Sequence, residues 1–285
     1  MRAAAIFGPG DVSKYLARFR QAADVEWVPE ISPNVQAALI FGGDGTIYRH
    51  LSAIAEAKIP VLIVPCGSGN DFARSLGLRK VNDSIAAWRA FLKPGTNLRQ
   101  VDLGIIRTVE DKNTSETHEH LFCCVAGIGL DARIARRANA LPRWFRSHGG
   151  YPFSALSEFI GFVPFPMKIN VGVQASTFQP TILAAVANTP TYGGGMKVAP
   201  QARFDDGKLD VCIVRAMSAF KLCCLFPTVY FGGHLRFREV EYARSEWVRI
   251  ETEYPIDVYA DGEYACRTPV MLGVVPGALQ VIAPA

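Results

Sequence analysis

AALIFGGDGT, residues 37–46, is the stretch that decides the fold. An apolar run leads into a tight glycine turn, and a helical pattern starting at Thr46 follows directly, so the order is strand, turn, helix. The three glycines let the backbone take conformations barred to other residues and let a ligand approach the main chain closely. The free N–H groups and positive dipole end of the helix suit a phosphate. Asp44, in the middle of this turn, would repel a bare phosphate. We therefore expect its carboxylate to bind a metal ion, to bind a sugar hydroxyl or to transfer a proton.

The next apolar run repeats the arrangement. Residues 61–64, VLIV, are typical of a buried parallel strand, and a second glycine loop, CGSGND at 66–71, comes after them. Strand and helix patterns alternate through residues 1–100, which predicts a doubly wound α/β domain with a mostly parallel sheet. Ligands of such sheets bind at the carboxyl ends of the strands, and both glycine loops lie at such ends.

The pattern changes near residue 100. The later apolar runs favour antiparallel β structure, and they fall at 101–107, 121–125, 167–173, 180–187, 209–214, 248–251 and 256–260. We therefore predict a second, β-rich domain over residues 101–275. One apolar segment there, 219–231, has two interpretations: buried core or contact with a membrane.

Composition narrows the class of protein. A chain of 285 residues with 49% hydrophobic and 20% charged residues is expected to fold into one or two globular domains. The formal charge of +4 without a dense Lys/Arg run does not indicate nucleic-acid binding. We expect no transmembrane span, because no apolar stretch is long enough. Seven cysteines without a CxxC spacing favour reduced thiols in a cytosolic protein.

Two common nucleotide motifs are missing. The sequence contains no GxxxxGK[ST] segment, and Gly127-Ile128-Gly129 lacks the third glycine of a dinucleotide fingerprint. Instead, FGGDGT and PCGSGNDFAR (65–74) resemble the diacylglycerol kinase catalytic domain family, which includes bacterial lipid kinases and sphingosine kinases. Three further segments agree in order and spacing: AGIGLDA (126–132), the run 187–211 containing GGGMKVAP, and the run 261–284 that starts with DGE. The resemblance covers essentially the whole chain.

The resemblance implies an architecture and a reaction. The N-terminal nucleotide domain would face a C-terminal β-sandwich-like domain across a cleft that holds the active site, and a last strand at about 276–285 would return to the first domain. The family moves the γ-phosphoryl group of ATP, with Mg²⁺, to a lipid hydroxyl. The implied nucleotide-binding residues are Gly42, Gly43, Asp44, Gly45, Thr46, Gly67, Ser68, Asn70 and Asp71.

The same resemblance assigns catalysis and metal binding. Asp44 would act through metal or water, and the general base would come from the DGE segment, where Glu263 is favoured over Asp261. Asp206 resembles the family's Mg²⁺ ligand, with main-chain oxygens of Arg203 and Lys208 as co-ligands; carboxylate and carbonyl oxygens suit such a hard cation. Whether this ion is catalytic or structural stays open.

Two departures from the family pattern concern polar contacts. Cys124 stands where the family often has Asn, and Gly8-Pro9-Gly10 follows the first strand in place of an Asn-Pro-type nucleotide loop. Each departure removes a side-chain contact that the resemblance would otherwise assign.

Among the lipid hydroxyls that the family phosphorylates, we expect diacylglycerol to be the acceptor. The alternatives are a sphingoid or other lipid alcohol, an NAD kinase that shares GGDGT, and a catalytically silent regulator that binds nucleotide or lipid. The GSGNDFAR loop argues against the NAD kinase, and retention of the carboxylates argues against the silent regulator. A lipid kinase of this kind is expected in the cytoplasm, peripheral at the inner membrane face, and a homodimer is compatible with the sequence.

Overall fold

Four short parallel strands form the N-terminal part of a mixed sheet. In the computed structural model they are β1 (Arg2–Phe7), β2 (Glu26–Val28), β3 (Ala37–Gly42) and β4 (Val61–Pro65), in the order β2-β1-β3-β4. The model describes residues 1–21, 24–32, 34–93, 97–109, 118–140, 158–159 and 161–284. Strands β3 and β4 are buried along their whole length, as near-continuous apolar sequence predicts for a parallel strand.

Helices cover these strands. They are α1 (Leu16–Arg20), α2 (Asp44–Ala57), α3 (Asp71–Ser75) and α4 (Val81–Phe91), and a 3-10 turn, Ser13–Tyr15, precedes α1. Helix α2 buries Ile47, Leu51 and Ile54, whose spacing places them on one face. It begins at Asp44, two residues earlier than the helical pattern predicts, so Asp44 lies in its first turn.

The rest of the chain is mainly antiparallel. Its strands are β5 (Leu98–Thr108), β6 (Glu119–Phe122), β7 (Val125–Gly129), β8 (Phe165–Val171), β9 (Gln179–Ala187), β10 (Leu209–Arg215), β11 (Val240–Ser245), β12 (Trp247–Thr252), β13 (Asp257–Ala260), β14 (Glu263–Arg267) and β15 (Val270–Ile282). Helix α5 (Leu130–Ala140) follows β7, and α6 (Ala219–Leu225) follows β10 and leads into the 3-10 turns Phe226–Phe231 and Gly233–Arg236. The predicted α/β part with a β-rich second part is confirmed.

Strand β15 joins the two parts. It pairs antiparallel with β5 and β12, and parallel with β4 through Val281 and Val61. Ala285 lies outside the described residues. Because β15 belongs to both ladders, it connects the amino end of β4, and with it the parallel strands, to the antiparallel strands.

Two main cores lie on either side of this junction. The larger packs α1, α2 and α4 onto the parallel strands and continues to Cys123, Cys124 and Val125. The second fills the antiparallel part, with Ile128, Val211 and Val258 among its members. All seven cysteines are unbonded thiols, as expected from their number and spacing. Among the described residues, no helix combines the length and the apolar character needed to cross a bilayer.

Candidate active site

The two glycine loops touch at the ends of β3 and β4. The N–H of Cys66 donates to the Gly42 carbonyl (3.0 Å). A Cβ atom on Gly43 would stand 2.9 Å from the Cα of Gly67, and one on Gly67 would stand 2.9 Å from the nitrogen of Gly43. Contacts this close are open only to glycine, so the two loops form one continuous main-chain surface at the carboxyl edge of the sheet.

Asp44 connects the two loops through its carboxylate. The N–H groups of Asp71 and Phe72, at the start of α3, donate to its Oδ2 (3.0 Å) and Oδ1 (3.1 Å). Burial, and next the neighbouring Asp71 carboxylate, raise the pKa of Asp44 to about 6. Asp44 is therefore a carboxyl group held in place by two hydrogen bonds, whose charged form no nearby cation among the described residues stabilises. Buried carboxyl groups with a shifted pKa are common at functional sites.

The second loop is held by its own side chains. The Oδ1 of Asn70 accepts the Gly67 N–H (2.9 Å), and its Nδ2 donates to the Gly67 carbonyl (2.6 Å). Ser68 stays exposed at the tip of the loop. Asp71 pairs with Arg74 (2.6 Å) and accepts the N–H of Gly194 (2.8 Å). Gly194 belongs to the loop 193–195, whose three glycines all have a positive φ, so Asp71 connects the second glycine loop with the β-rich part.

Asp261 and Glu263 approach from the hairpin between β13 and β14. Asp261 has a φ of +50° and accepts three main-chain N–H bonds, from Cys123 (2.7 Å), Cys124 (2.8 Å) and Val125 (3.1 Å). Burial raises the pKa of Asp261. With its oxygens engaged in this way, Asp261 fixes the hairpin in place and is poorly presented to a substrate.

Glu263 faces the first glycine loop. A Cβ atom on Gly45 would lie 2.9 Å from its Oε1, so the carboxylate rests against the start of α2. Tyr48, one turn further along α2, lies close enough to Asp261 and Glu263 that their charges add to the effect of burial and raise its pKa to about 12. Glu263 is thus the carboxylate of this hairpin that lies against the first glycine turn.

Asp206 lies in a different environment. Its Oδ1 accepts the N–H of Lys208 (3.1 Å), and its Oδ2 pairs with Arg244 at short distance. The side chain of Arg203 turns to Asp205 (3.2 Å). A cation that used Asp206 together with the main-chain oxygens of residues 203 and 208 would have to displace the Arg244 guanidinium from the carboxylate.

The sequence reasoning missed several polar residues that support the site. Asp102, buried in β5, accepts the N–H of Gly277 (2.8 Å) and of Gly207 (2.7 Å), so it connects β15 with the turn that contains Asp206. Asn188 donates to the carbonyls of Asp102 (2.8 Å) and Cys123 (3.0 Å). For Asp102 the available signal was a polar residue inside the apolar run of β5, where a buried carboxylate needs hydrogen-bond partners; Asn188 follows directly after the apolar end of β9.

A third missed contact joins α5 to the loop next to Gly193. The hydroxyl of Tyr192 donates to Asp131 (2.5 Å). Gly127 leaves the room for this carboxylate, since a Cβ atom there would overlap Asp131.

The departure at Cys124 has a simple structural consequence. Cys123 and Cys124 contact Asp261 through main-chain N–H groups, so a cysteine at 124 leaves those bonds intact. The departure after β1 also leaves main-chain contacts in place. The N–H of Gly8 donates to the Phe41 carbonyl (2.7 Å), and Gly8 packs against Thr46.

Comparison with known proteins matches both parts of the chain. Residues 11–106 match the family described as the diacylglycerol kinase catalytic domain, and residues 124–283 match the YegS C-terminal NAD kinase beta sandwich-like domain. A diacylglycerol kinase of Mycobacterium tuberculosis strain H37Rv is 35% identical over 254 residues, which span 89% of this chain and 79% of the relative. YtlR of Bacillus subtilis strain 168, whose name describes a lipid kinase, is 30% identical over 250 residues (85% and 79%).

A solved structure has the same fold. The crystal structure of a diacylglycerol kinase from Bacillus anthracis strain Sterne superimposes with a TM-score of 0.69, covering 99% of this chain and 96% of the other. The two sequences are 20% identical, so this likeness concerns the fold alone.

Proposed function

This chain belongs to the family of lipid kinases that join a diacylglycerol kinase catalytic domain to a YegS C-terminal NAD kinase beta sandwich-like domain, and we propose that it phosphorylates diacylglycerol at the cytosolic face of a membrane. ATP is the phosphoryl donor. The choice of acceptor is supported by the name of the 35% identical relative. We place the boundary between the nucleotide part and the lipid part near residue 100, with the last strand shared, and a homodimer remains part of the proposal.

The observation that carries the proposal is the position of Glu263. Its carboxylate lies against Gly45 in the phosphate-binding turn, although it comes from the far hairpin. Phosphoryl transfer needs donor and acceptor held in line, neutralised charge and a group that takes the hydroxyl proton. We assign the main chain at 42–46 and 67–70 to the phosphates, and Glu263 to the proton of the lipid hydroxyl.

The other carboxylates act through position and charge. Asp44 and Asp71 lock the second loop against α3 and the glycine loop 193–195, so the two parts keep their distance during transfer. Asp261 keeps the hairpin that carries Glu263 in register with the start of β7. A lipid hydroxyl that enters between Glu263 and the glycine turn would lose its water before it reacts, which strengthens every charge interaction there.

Mg²⁺ fits this cleft by the chemistry of the donors. Asp44 has a raised pKa because burial and the Asp71 carboxylate disfavour its charge, so a cation that reaches both oxygens would be favoured. When bound, Mg²⁺ would neutralise the phosphate oxygens and leave the protein groups to orient them. The residues that would hold it are Asp44 and Asp71, and at Asp71 the ion would share the carboxylate with the Arg74 guanidinium and the Gly194 N–H. A second ion at Asp206, with the main-chain oxygens of Arg203 and Lys208, is compatible only with movement of Arg244.

The test is a phosphoryl-transfer assay with a panel of acceptors. Purified protein receives labelled ATP, with and without Mg²⁺, and mixed micelles that contain diacylglycerol, a sphingoid base or a polyprenol; a parallel reaction offers NAD in solution. We expect labelled phosphatidic acid and little product elsewhere. A sphingoid or polyprenol phosphate would correct the acceptor, NADP would move the chain to the NAD kinases, and ATP binding without any product would make it a silent regulator.

A further inference from the structure

Residues 216–238 form an acid-free, aromatic-rich segment outside the groups used above. The sequence AMSAFKLCCLFPTVYFGGHLRFR contains no Asp or Glu, and its basic residues are Lys221, Arg236 and Arg238. It comprises α6 and the two 3-10 turns that follow. The apolar stretch within it had two interpretations, core or membrane contact, and the structure buries part of the stretch and leaves another part exposed to water.

One face of the segment belongs to the interior. Leu222 and Leu225 are 5% and 4% exposed, and Leu222 packs with Leu130 and Ile134 of α5. The rings of Phe226 and Phe159 meet edge to face, with centroids 5.1 Å apart. These contacts give α6 a firm base on the β-rich part.

Two phenylalanines of the segment are exposed to water. Phe220 is 80% exposed and Phe231 is 85% exposed. Within the part of the chain that the structure describes, no other aromatic side chain exceeds the 55% of Tyr254. Single exposed apolar residues need no explanation, but two fully projecting rings on one short, acid-free segment mark a surface made for contact.

This surface adjoins the catalytic cleft. The Val229 carbonyl accepts the N–H of Lys197 (3.0 Å), and Gly232 packs on Pro200, so the segment contacts the run of residues 193–200. The same run holds Gly194, whose N–H donates to Asp71 in the second nucleotide loop (2.8 Å). The segment is therefore only one loop away from the carboxylates of the active site.

The charge of the segment, and of the loop it contacts at Lys197, favours an anionic partner. Lys197 and Arg236 are exposed, and the Arg238 side chain is 89% exposed and pairs with Glu239 (3.0 Å). Lys221 shares that same carboxylate (2.7 Å). Lys221 and Arg238 share this one glutamate, so these five side chains together carry a net positive charge. Apolar side chains surrounded by Lys and Arg are the usual make-up of interfacial membrane contacts.

We propose that Phe220 and Phe231 insert into the surface of an anionic phospholipid bilayer, with Lys197 and Arg236 at the headgroups, and that this docking brings the cleft to lipid still embedded in the bilayer. The inference rests on the proposed function for its biological purpose, but the docking itself is independent of turnover. The packing of Leu222 and Phe226 against the β-rich part is consistent with insertion, because a segment that places two rings in lipid has to be anchored to the protein.

The experiment compares vesicle binding of three forms of the full chain. They are the wild type, the double variant Phe220→Ser/Phe231→Ser, and the matched control Phe178→Ser, which changes an exposed phenylalanine (45%) in the link before β9. Each is sedimented with phosphatidylcholine vesicles, with and without phosphatidylglycerol. We expect wild type and control to bind the anionic vesicles, and the double variant to bind them roughly tenfold more weakly for each ring removed. Added salt should weaken wild-type binding, because exposed charges are screened.

A second measurement separates docking from catalysis. On short-chain diacylglycerol dispersed as monomers, the double variant should turn over at the wild-type rate, since no bilayer has to be found. If the wild type phosphorylates no lipid but its vesicle binding depends on the two rings, the proposed function fails and the docking surface stands.

Two results would overturn the docking surface. One is equal vesicle binding by wild type and double variant. The other is a dimer, seen by sedimentation velocity, that dissociates in the double variant while vesicle binding stays the same; the rings would then face a second copy of this chain.

Discussion

Replacing Gly67 by alanine tests whether the two glycine loops form one surface. The new methyl group would stand 2.9 Å from the nitrogen of Gly43 and 3.0 Å from the Oδ1 of Asn70, whereas ordinary contacts begin at 3.4 Å. Because Gly43 offers backbone there, no flexible side chain can turn away. The methyl group would come closest to the Cα of Gly43, so the loops have to separate by about an ångström, and overpacking of this kind costs about 1–3 kcal/mol.

The expected result has a thermal and a kinetic part. For a chain of this size each kcal/mol lowers the Tm by about 2–4 °C, so the variant should melt roughly 2–12 °C below the wild type in a circular dichroism scan. The shift also moves the second loop away from the Asp44 carboxylate that holds Asp71 and Phe72. We therefore expect the KM for ATP in a steady-state assay to rise about tenfold or more, since small misplacements of positioning groups are costly.

The matched control is Gly273→Ala in β15. A Cβ atom there would lie 3.6 Å from Ile105, an ordinary contact, and neither Gly67 nor Gly273 has a positive φ. The control should therefore keep the wild-type Tm and KM. If Gly67→Ala behaves like Gly273→Ala in both measurements, the loops do not touch as described and the shared phosphate surface has to be abandoned.

Three further predictions concern the carboxylates. Glu263→Gln should keep the wild-type Tm and lose about 10²–10⁴-fold in kcat, measured as initial rates at saturating ATP; a rate close to that of the wild type would remove Glu263 as the base. Folding raises the pKa of Asp44 from 3.8 to about 6, so the stability gained from its protonated form is complete below the lower value and is lost as pH rises through the higher one. Mg²⁺ should therefore raise the Tm more at about pH 7.5 than at about pH 5, and equal shifts would argue against an ion at Asp44. Asp261→Ala leaves three buried N–H groups without an acceptor, so urea unfolding should show a loss of at least about 3 kcal/mol, and an unchanged midpoint would contradict the bracing role.

Local sequence was sufficient for most elements of the N-terminal half. The apolar runs before Gly42 and Cys66 predict β3 and β4, because a strand buried on both faces has to be apolar throughout. The start of α2 was placed two residues late, since Asp44 and Gly45 look like turn residues when only their own propensities are considered. In the folded protein Asp44 is held by N–H groups of another helix, α3, which no local pattern encodes.

Ordered motifs also led to the family, and the comparisons confirm it. They did not separate the tasks of Asp261 and Glu263, which stand two positions apart in the sequence. Their difference comes from the fold: Asp261 accepts three N–H groups at the start of β7, while Glu263 reaches Gly45 at the start of α2. The roles proposed for both remain predictions for the experiments above.

By itself, then, the sequence determined the strand–turn–helix units, the glycine positions and the chemical type of the site, because these depend on neighbours within a few residues. The tertiary structure alone decided which groups meet. Gly43 with Gly67, Asp71 with Gly194, and Gly45 with Glu263 are pairs far apart in the chain. The first pair meets because β3 and β4 are neighbours in the sheet, and the other two join the N-terminal part to the β-rich part, which β15 also connects. It also decided that Leu222 faces the core while Phe220 and Phe231 face water, since the direction of a side chain follows from what its helix packs against.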